Sequence, residues 1–163
     1  MSRRPAIILD MDETLLHTRT DRRGDLVFPS VPRPGLVPTL NTLAKLGDVY
    51  VLSAGTPDYI PEALRSVRLG SRFEGKAWSS RVPLDLQSEL GLDGRRWVLV
   101  DDPASHHHRT QRKLRICGSL DRRRFVWICP FTGSHTDKAL TMLPPLVAIS
   151  LAIQPPPAGR SRR

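Results

Sequence analysis

The chain has 163 residues, 39% of them hydrophobic, with 25 Lys and Arg against 16 Asp and Glu for a formal charge of +9. That length suits one domain able to bury its own core, and the hydrophobic share excludes a disordered chain. No apolar run is long enough to cross a bilayer, and two cysteines, Cys117 and Cys129, support neither a disulfide framework nor a zinc site.

The first residues, MSRRPAIILD, place basic groups before an apolar stretch, but acids follow at once and no small-residue cleavage site is present. A signal peptide is not expected, and a reducing cytoplasm is the expected compartment. AIIL (6–9) then reads as a first strand. Residues 17–32 have room only for a small hairpin, with Gly24 in its turn. GLVPTLNTLAKLG has apolar residues at helical spacing and a closing glycine, VYVL (49–52) reads as a second strand, and TPDYIPEALRSVRLG as a second helix. PLDLQSELGL is a shorter helix, WVLV (97–100) a third strand, and RFVWI (124–128) a fourth.

HHHRTQRKLR, residues 106–115, reads either as a solvated loop or as a rim that attracts anions. The three adjacent histidines lack a spaced partner set, so zinc is not expected there. LTMLPPLVAISLAI, though interrupted by Pro144 and Pro145, is a core-facing helix. The rest, residues 154–163, is a disordered Pro- and Arg-rich tail after a domain spanning 1–153. Residues 1–102 balance 14 basic against 14 acidic side chains, whereas 103–163 hold 11 against 2, so the net charge resides in the last third. Trp78, Trp97 and Trp127 are expected in the core, with Trp78 the nearest to any site.

The strands are short, β-rich and not alternating, as strands covered on both faces are. Helical segments separate them, so they cannot pair as hairpins, and an open parallel sheet with crossover helices follows. In such sheets reactive groups gather beyond the carboxyl ends of the strands. Three strands end in polar groups there: Asp10 and Asp12, Ser53, and Asp101 with Asp102. Four carboxylates sharing one crevice repel one another unless a cation sits among them, and an all-oxygen set selects a hard one, Mg²⁺. Taken singly, Asp12 or Asp102 also reads as a helix N-cap and Ser53 as turn chemistry; Glu13 reads as a solvated or capping group.

These segments resemble a known family. DMDETL resembles the DxDxT signature of the haloacid dehalogenase (HAD) superfamily, LSAG its second motif and LVDDP its fourth. DETLLHT followed by RPGL, DDPAS after the last motif, and FTGSHTDKALTMLPPL resemble the FCP/SCP-like (NLI-interacting-factor-like) small phosphatases over roughly residues 5–152. The resemblance implies a HAD-like three-layer α/β/α fold around a mainly parallel sheet, without a large cap domain. It also implies a phosphatase working through an aspartyl-phosphate. Asp10 is then the nucleophile and Asp12 the general acid and base; alternation along a strand puts positions 10 and 12 on one side. Thr14 shapes the loop after the strand and contacts the substrate, Ser53 binds a phosphoryl oxygen, and Asp10, the Asp12 carbonyl and the Asp101/Asp102 pair hold Mg²⁺, with Asp102 the direct ligand and Asp101 its support.

The family's third-motif Lys or Arg has no counterpart where its helix begins, at Pro83 and Leu84. Arg81 is the first choice for that cation and Lys76 the second. Without a cap the crevice suits a phosphate carried on a macromolecule, a phosphoprotein or a nucleic-acid end. A binding module that keeps the fold but has lost turnover is the other reading.

Overall fold

The computed structural model describes residues 3–102 and 107–155. Residues 103–105 of the DDPAS segment, His106 and the tail from 156 onward lie outside the described residues. In chain order, strand β1 (Ala6–Leu9) is followed by an antiparallel hairpin of β2 (Leu16–Thr20) and β3 (Leu26–Pro32), with Gly24 at φ 87° in its turn. Then come helix α1 (Leu36–Leu46), β4 (Asp48–Ser53), α2 (Tyr59–Ser66), β5 (Ala77–Ser79), α3 (Leu86–Glu89) and β6 (Trp97–Asp101). Helix α4 (His107–Ile116), β7 (Phe125–Trp127) and α5 (Ala139–Ile153) complete the fold.

The five-stranded sheet runs in the order β5-β4-β1-β6-β7 with every pairing parallel, which is the expected α/β architecture. Its central strand buries all four residues, and alternation splits them between two cores. Ile7 and Leu9 pack with α1, α2 and α5, while Ala6 and Ile8 pack with α3 and α4. Helices therefore cover both faces, and among the described residues no cap domain intervenes. Among the described residues no helix is long and apolar enough to cross a membrane.

Three local expectations change. Residues 107–116 form a helix, which replaces the solvated-loop alternative. A three-residue strand, β5, extends the sheet beside β4. Trp97 is buried, but Trp127 is 59% exposed because β7 is an edge strand with nothing beyond it.

Candidate active site

The parity that sends positions 6 and 8 toward α4 also governs the residue after them. Asp10 continues β1, its N–H donating to the Val100 carbonyl at 2.8 Å. On β6, Trp97 and Leu99 lie in the same core, so Asp101, two residues further, faces the same helix. That helix supplies the counter-charge. Thr110, Lys113 and Leu114 are its buried positions, with Cys117 just past its end, a spacing of three, four and seven that defines one face. Lys113 Nζ donates to Asp10 Oδ1 at 2.5 Å and to Asp101 Oδ1 at 3.1 Å, and Thr110 Oγ1 donates to Asp101 Oδ2 at 2.5 Å. All four side chains are at least nine-tenths buried.

Lys113 is the cation that pairs with Asp10; among the described residues neither Arg81 nor Lys76, the expected choices, forms an ion pair with it. Lys76 precedes β5 and therefore lies at the amino end of a parallel strand, where it lines a different cavity with Arg4, Asp48 and Arg72. Arg81 follows the carboxyl end of β5 and does line the site, but it is exposed at the edge and its Nε donates to the Ala54 carbonyl. The signal that could have found Lys113 is the face shared by Thr110, Leu114 and Cys117. Only one of those three is strongly hydrophobic.

Asp12 is held from the other side. The strand ends at Leu9, Glu13 adopts a left-handed φ of 62°, and a bridge forms between Asp12 and Leu16, so alternation does not continue to position 12. Asp12 Oδ2 accepts from Ser53 Oγ at 3.1 Å, and Oδ1 accepts from the Tyr59 hydroxyl, which also bonds Thr18 Oγ1 at 2.7 Å. Ser53, fully buried, accepts from the Gly55 N–H at 2.8 Å. A side chain at Gly55 would place its Cβ 2.4 Å from the Tyr59 ring, so the close approach requires glycine. Thr14 is fully buried and does not line the cavity; its hydroxyl donates to Asp10 Oδ2 at 3.3 Å, so it steadies that carboxylate where substrate contact was expected.

Asp10, Asp12, Asp101, Asp102 and Lys113 line one open cavity of about 430 Å³, with Glu13, Thr18, Leu26, Tyr59, Arg81 and Arg109 around it. The electrostatics are those of crowded acids. Burial, then Asp101 and Asp12, push the Asp10 pKa upward against the pull of Lys113; burial raises Asp12 as well. Asp102 rises to about 6 from burial and the adjacent Asp101 charge. Burial disfavours the Lys113 ammonium, but Asp10 and Asp101 outweigh it and raise its pKa, so the lysine is charged.

Carboxylate oxygens of Asp10, Asp101 and Asp102 lie within 4.8 Å of one another. This donor set fits a hard divalent cation, since three carboxylates face one ammonium. Both Asp101 oxygens already accept hydrogen bonds from side chains, whereas among the described residues no side chain is seen to donate to the Asp102 carboxylate, which leaves Asp102 the freer ligand.

Arg33, from the RPGL segment, braces the loop carrying these acids. Its guanidinium pairs with Asp137 through Nε at 2.9 Å and Nη2 at 3.0 Å, and donates to the carbonyls of Thr14 at 3.1 Å and Cys129 at 2.7 Å. It also lies over the Phe131 ring, 5.4 Å from its centroid.

The sequence profile of the NIF family, NLI interacting factor-like phosphatase, matches residues 5–155. Two solved structures share the fold. The RNA polymerase II CTD phosphatase Fcp1 aligns with a TM-score of 0.55 at 15% identity, covering 92% of this chain and 50% of its own. A fission yeast Fcp1 variant bound to beryllium fluoride aligns at 0.52 and 15%, covering 94% and 52%. The chain thus spans about half the length of the Fcp1 chains it matches. No curated relative matches the sequence.

Proposed function

Because the chain belongs to the NLI interacting factor-like phosphatase family of the HAD superfamily, we propose that it is a Mg²⁺-dependent phosphatase that passes the phosphoryl group of a phosphate monoester first to Asp10 and then to water. The observation that carries this reading is the buried Lys113 ammonium shared by Asp10 and Asp101 at the carboxyl ends of adjacent strands. The ammonium favours the ionised carboxylate that an in-line attack on phosphorus needs, working against the burial and neighbouring acids that push the Asp10 pKa up.

In the first step an Asp10 oxygen forms a bond to phosphorus, the bond to the leaving oxygen breaks, and Asp12 donates a proton to that oxygen. In the second, water attacks the aspartyl-phosphate, Asp12 takes the water's proton, and the Asp10 carboxylate is released. Ser53 and Tyr59 fix Asp12 for both transfers, and Lys113 compensates charge on Asp10 and on the phosphoryl oxygens. A Mg²⁺ held by Asp10, Asp102 and the Asp12 carbonyl would supply further charge neutralisation for the phosphoryl group.

Residues 1–153 form the catalytic unit in this reading. The substrate class is a phosphorylated macromolecule, most simply a phosphoprotein; the two similar structures are of an RNA polymerase II CTD phosphatase. The capless, open cavity supports it. Hydrolysis of p-nitrophenyl phosphate with and without Mg²⁺ tests the proposal. Turnover should require the metal and vanish in Asp10→Asn; equal rates for the two proteins would instead indicate a binding module.

A further inference from the structure

Lys113 occupies the place beside Asp10, and among the described residues the cations at the cavity's edge have no carboxylate partner. Arg81 and Arg109 both line the cavity, and both are exposed. Arg112, one turn beyond Arg109 on α4, donates from its guanidinium to the Arg81 carbonyl at 3.3 Å, tying α4 to the segment after β5. Two arginines thus line the crevice, and a third holds the backbone of one of them. Among the described residues none of them has a carboxylate within ion-pair distance, although five acids line the same cavity. The described part of α4 carries no acidic residue to offset them. Like charges held together without counter-charge are unfavourable unless an anion arrives to share them.

The scissile phosphoryl group does not supply that anion, because in the proposed mechanism its charge is met deeper in the cavity by Lys113 and the metal. We infer that Arg81 and Arg109, backed by Arg112, form a second anion subsite that reads another phosphate or carboxylate on the same substrate. The substrate is then a phosphopeptide with a second acidic group a few residues from the one attacked. The inference rests on the proposed phosphatase reading for which phosphate is attacked, but the subsite itself is a matter of binding.

A peptide fits better than a nucleic-acid end. Among the described lining residues the one aromatic ring is Tyr59, whose hydroxyl is bound to Asp12 and Thr18 and whose ring packs against Phe28, and the hairpin side presents Leu26, 48% exposed, to an apolar side chain. Guanidinium forks bind phosphate bidentately, which favours a second phosphate over a single carboxylate.

Equilibrium binding by fluorescence anisotropy tests this, using Asp10→Asn protein so that no peptide is turned over. The probes are a singly phosphorylated serine peptide, the same peptide with a second phosphoserine, and a 5′-phosphorylated oligonucleotide. The second phosphate should tighten binding about tenfold or more, and Arg81→Ala and Arg109→Ala should each bring that ratio toward one. A ratio near one, or a ratio that survives both substitutions, overturns the subsite. Tighter binding of the oligonucleotide than of the doubly phosphorylated peptide overturns the peptide assignment. Because binding is read without turnover, these outcomes are separate from failure of the hydrolysis assay, which would sink the phosphatase reading alone.

Discussion

Two buried ion pairs lie within the same fold and are built differently. Around Arg33 the donors are matched: one carboxylate takes a bidentate fork, and three backbone carbonyls, those of Glu13, Thr14 and Cys129, take the remaining N–H groups. Around Lys113 a single ammonium faces Asp10 and Asp101, with Asp102 and Asp12 nearby, so negative charge is in excess. A saturated pair has nothing left to bind and acts as a brace. An unsaturated one stays poised for a cation and a reacting group, and its crowding raises the pKa values of its acids. The contrast separates residues that hold the loop from residues that use it.

If that separation is right, the two cations should fail differently when removed. Arg33→Met strands Asp137 and the three carbonyls, and should lower unfolding free energy by about 3–5 kcal/mol in a denaturant titration. Rates measured on the fraction that remains folded should change much less. Lys113→Met should lower kcat on p-nitrophenyl phosphate by about 10²–10³-fold with the chain still folded. The reverse pattern, with Arg33 controlling rate and Lys113 only stability, would erase the distinction. Tyr59→Phe keeps the ring but loses the hydroxyl that holds Asp12; turnover should fall about tenfold. The loss should be larger for an alkyl phosphate than for a nitrophenyl one, because a poor leaving group depends more on the proton from Asp12.

The smallest effect concerns pH. The Arg33 fork holds the Asp137 carboxyl below its ordinary value. A depressed folded pKa contributes stability above the unfolded pKa, about 3.9, and loses it as pH falls through the folded value. The stability gap between wild type and Asp137→Asn should therefore be full at neutral pH and narrow below about pH 4. A gap that widens on acidification would contradict the pairing.

Much of this was legible from sequence because it depends on position in a parallel sheet. AIIL, VYVL and WVLV mark strands buried on both faces, and the acids directly after them had to meet at one end. The order of the short motifs pointed to the family. Helix α4 was not legible, since HHRTQRKLRI is mostly polar and its buried face rests on Thr110, Lys113 and Leu114, with Cys117 just past its end. A lysine in a basic run looks solvated until the carboxylates opposite it are placed. The family's cation is expected before Asp101, at Arg81 or Lys76, while the fold brings Lys113 in from the helix after it. Asp12 misled for a related reason: alternation holds only while the strand lasts, and β1 stops at Leu9.

The claim on which the rest depends is that phosphorus becomes covalently attached to Asp10. Incubation with a radiolabelled phosphopeptide and Mg²⁺, acid quenching, and mapping of the label after proteolysis test it directly. The account predicts a hydroxylamine-labile phosphoryl group on the fragment containing Asp10, absent from Asp10→Asn. Label on a different residue, or turnover undiminished in Asp10→Asn, would contradict it.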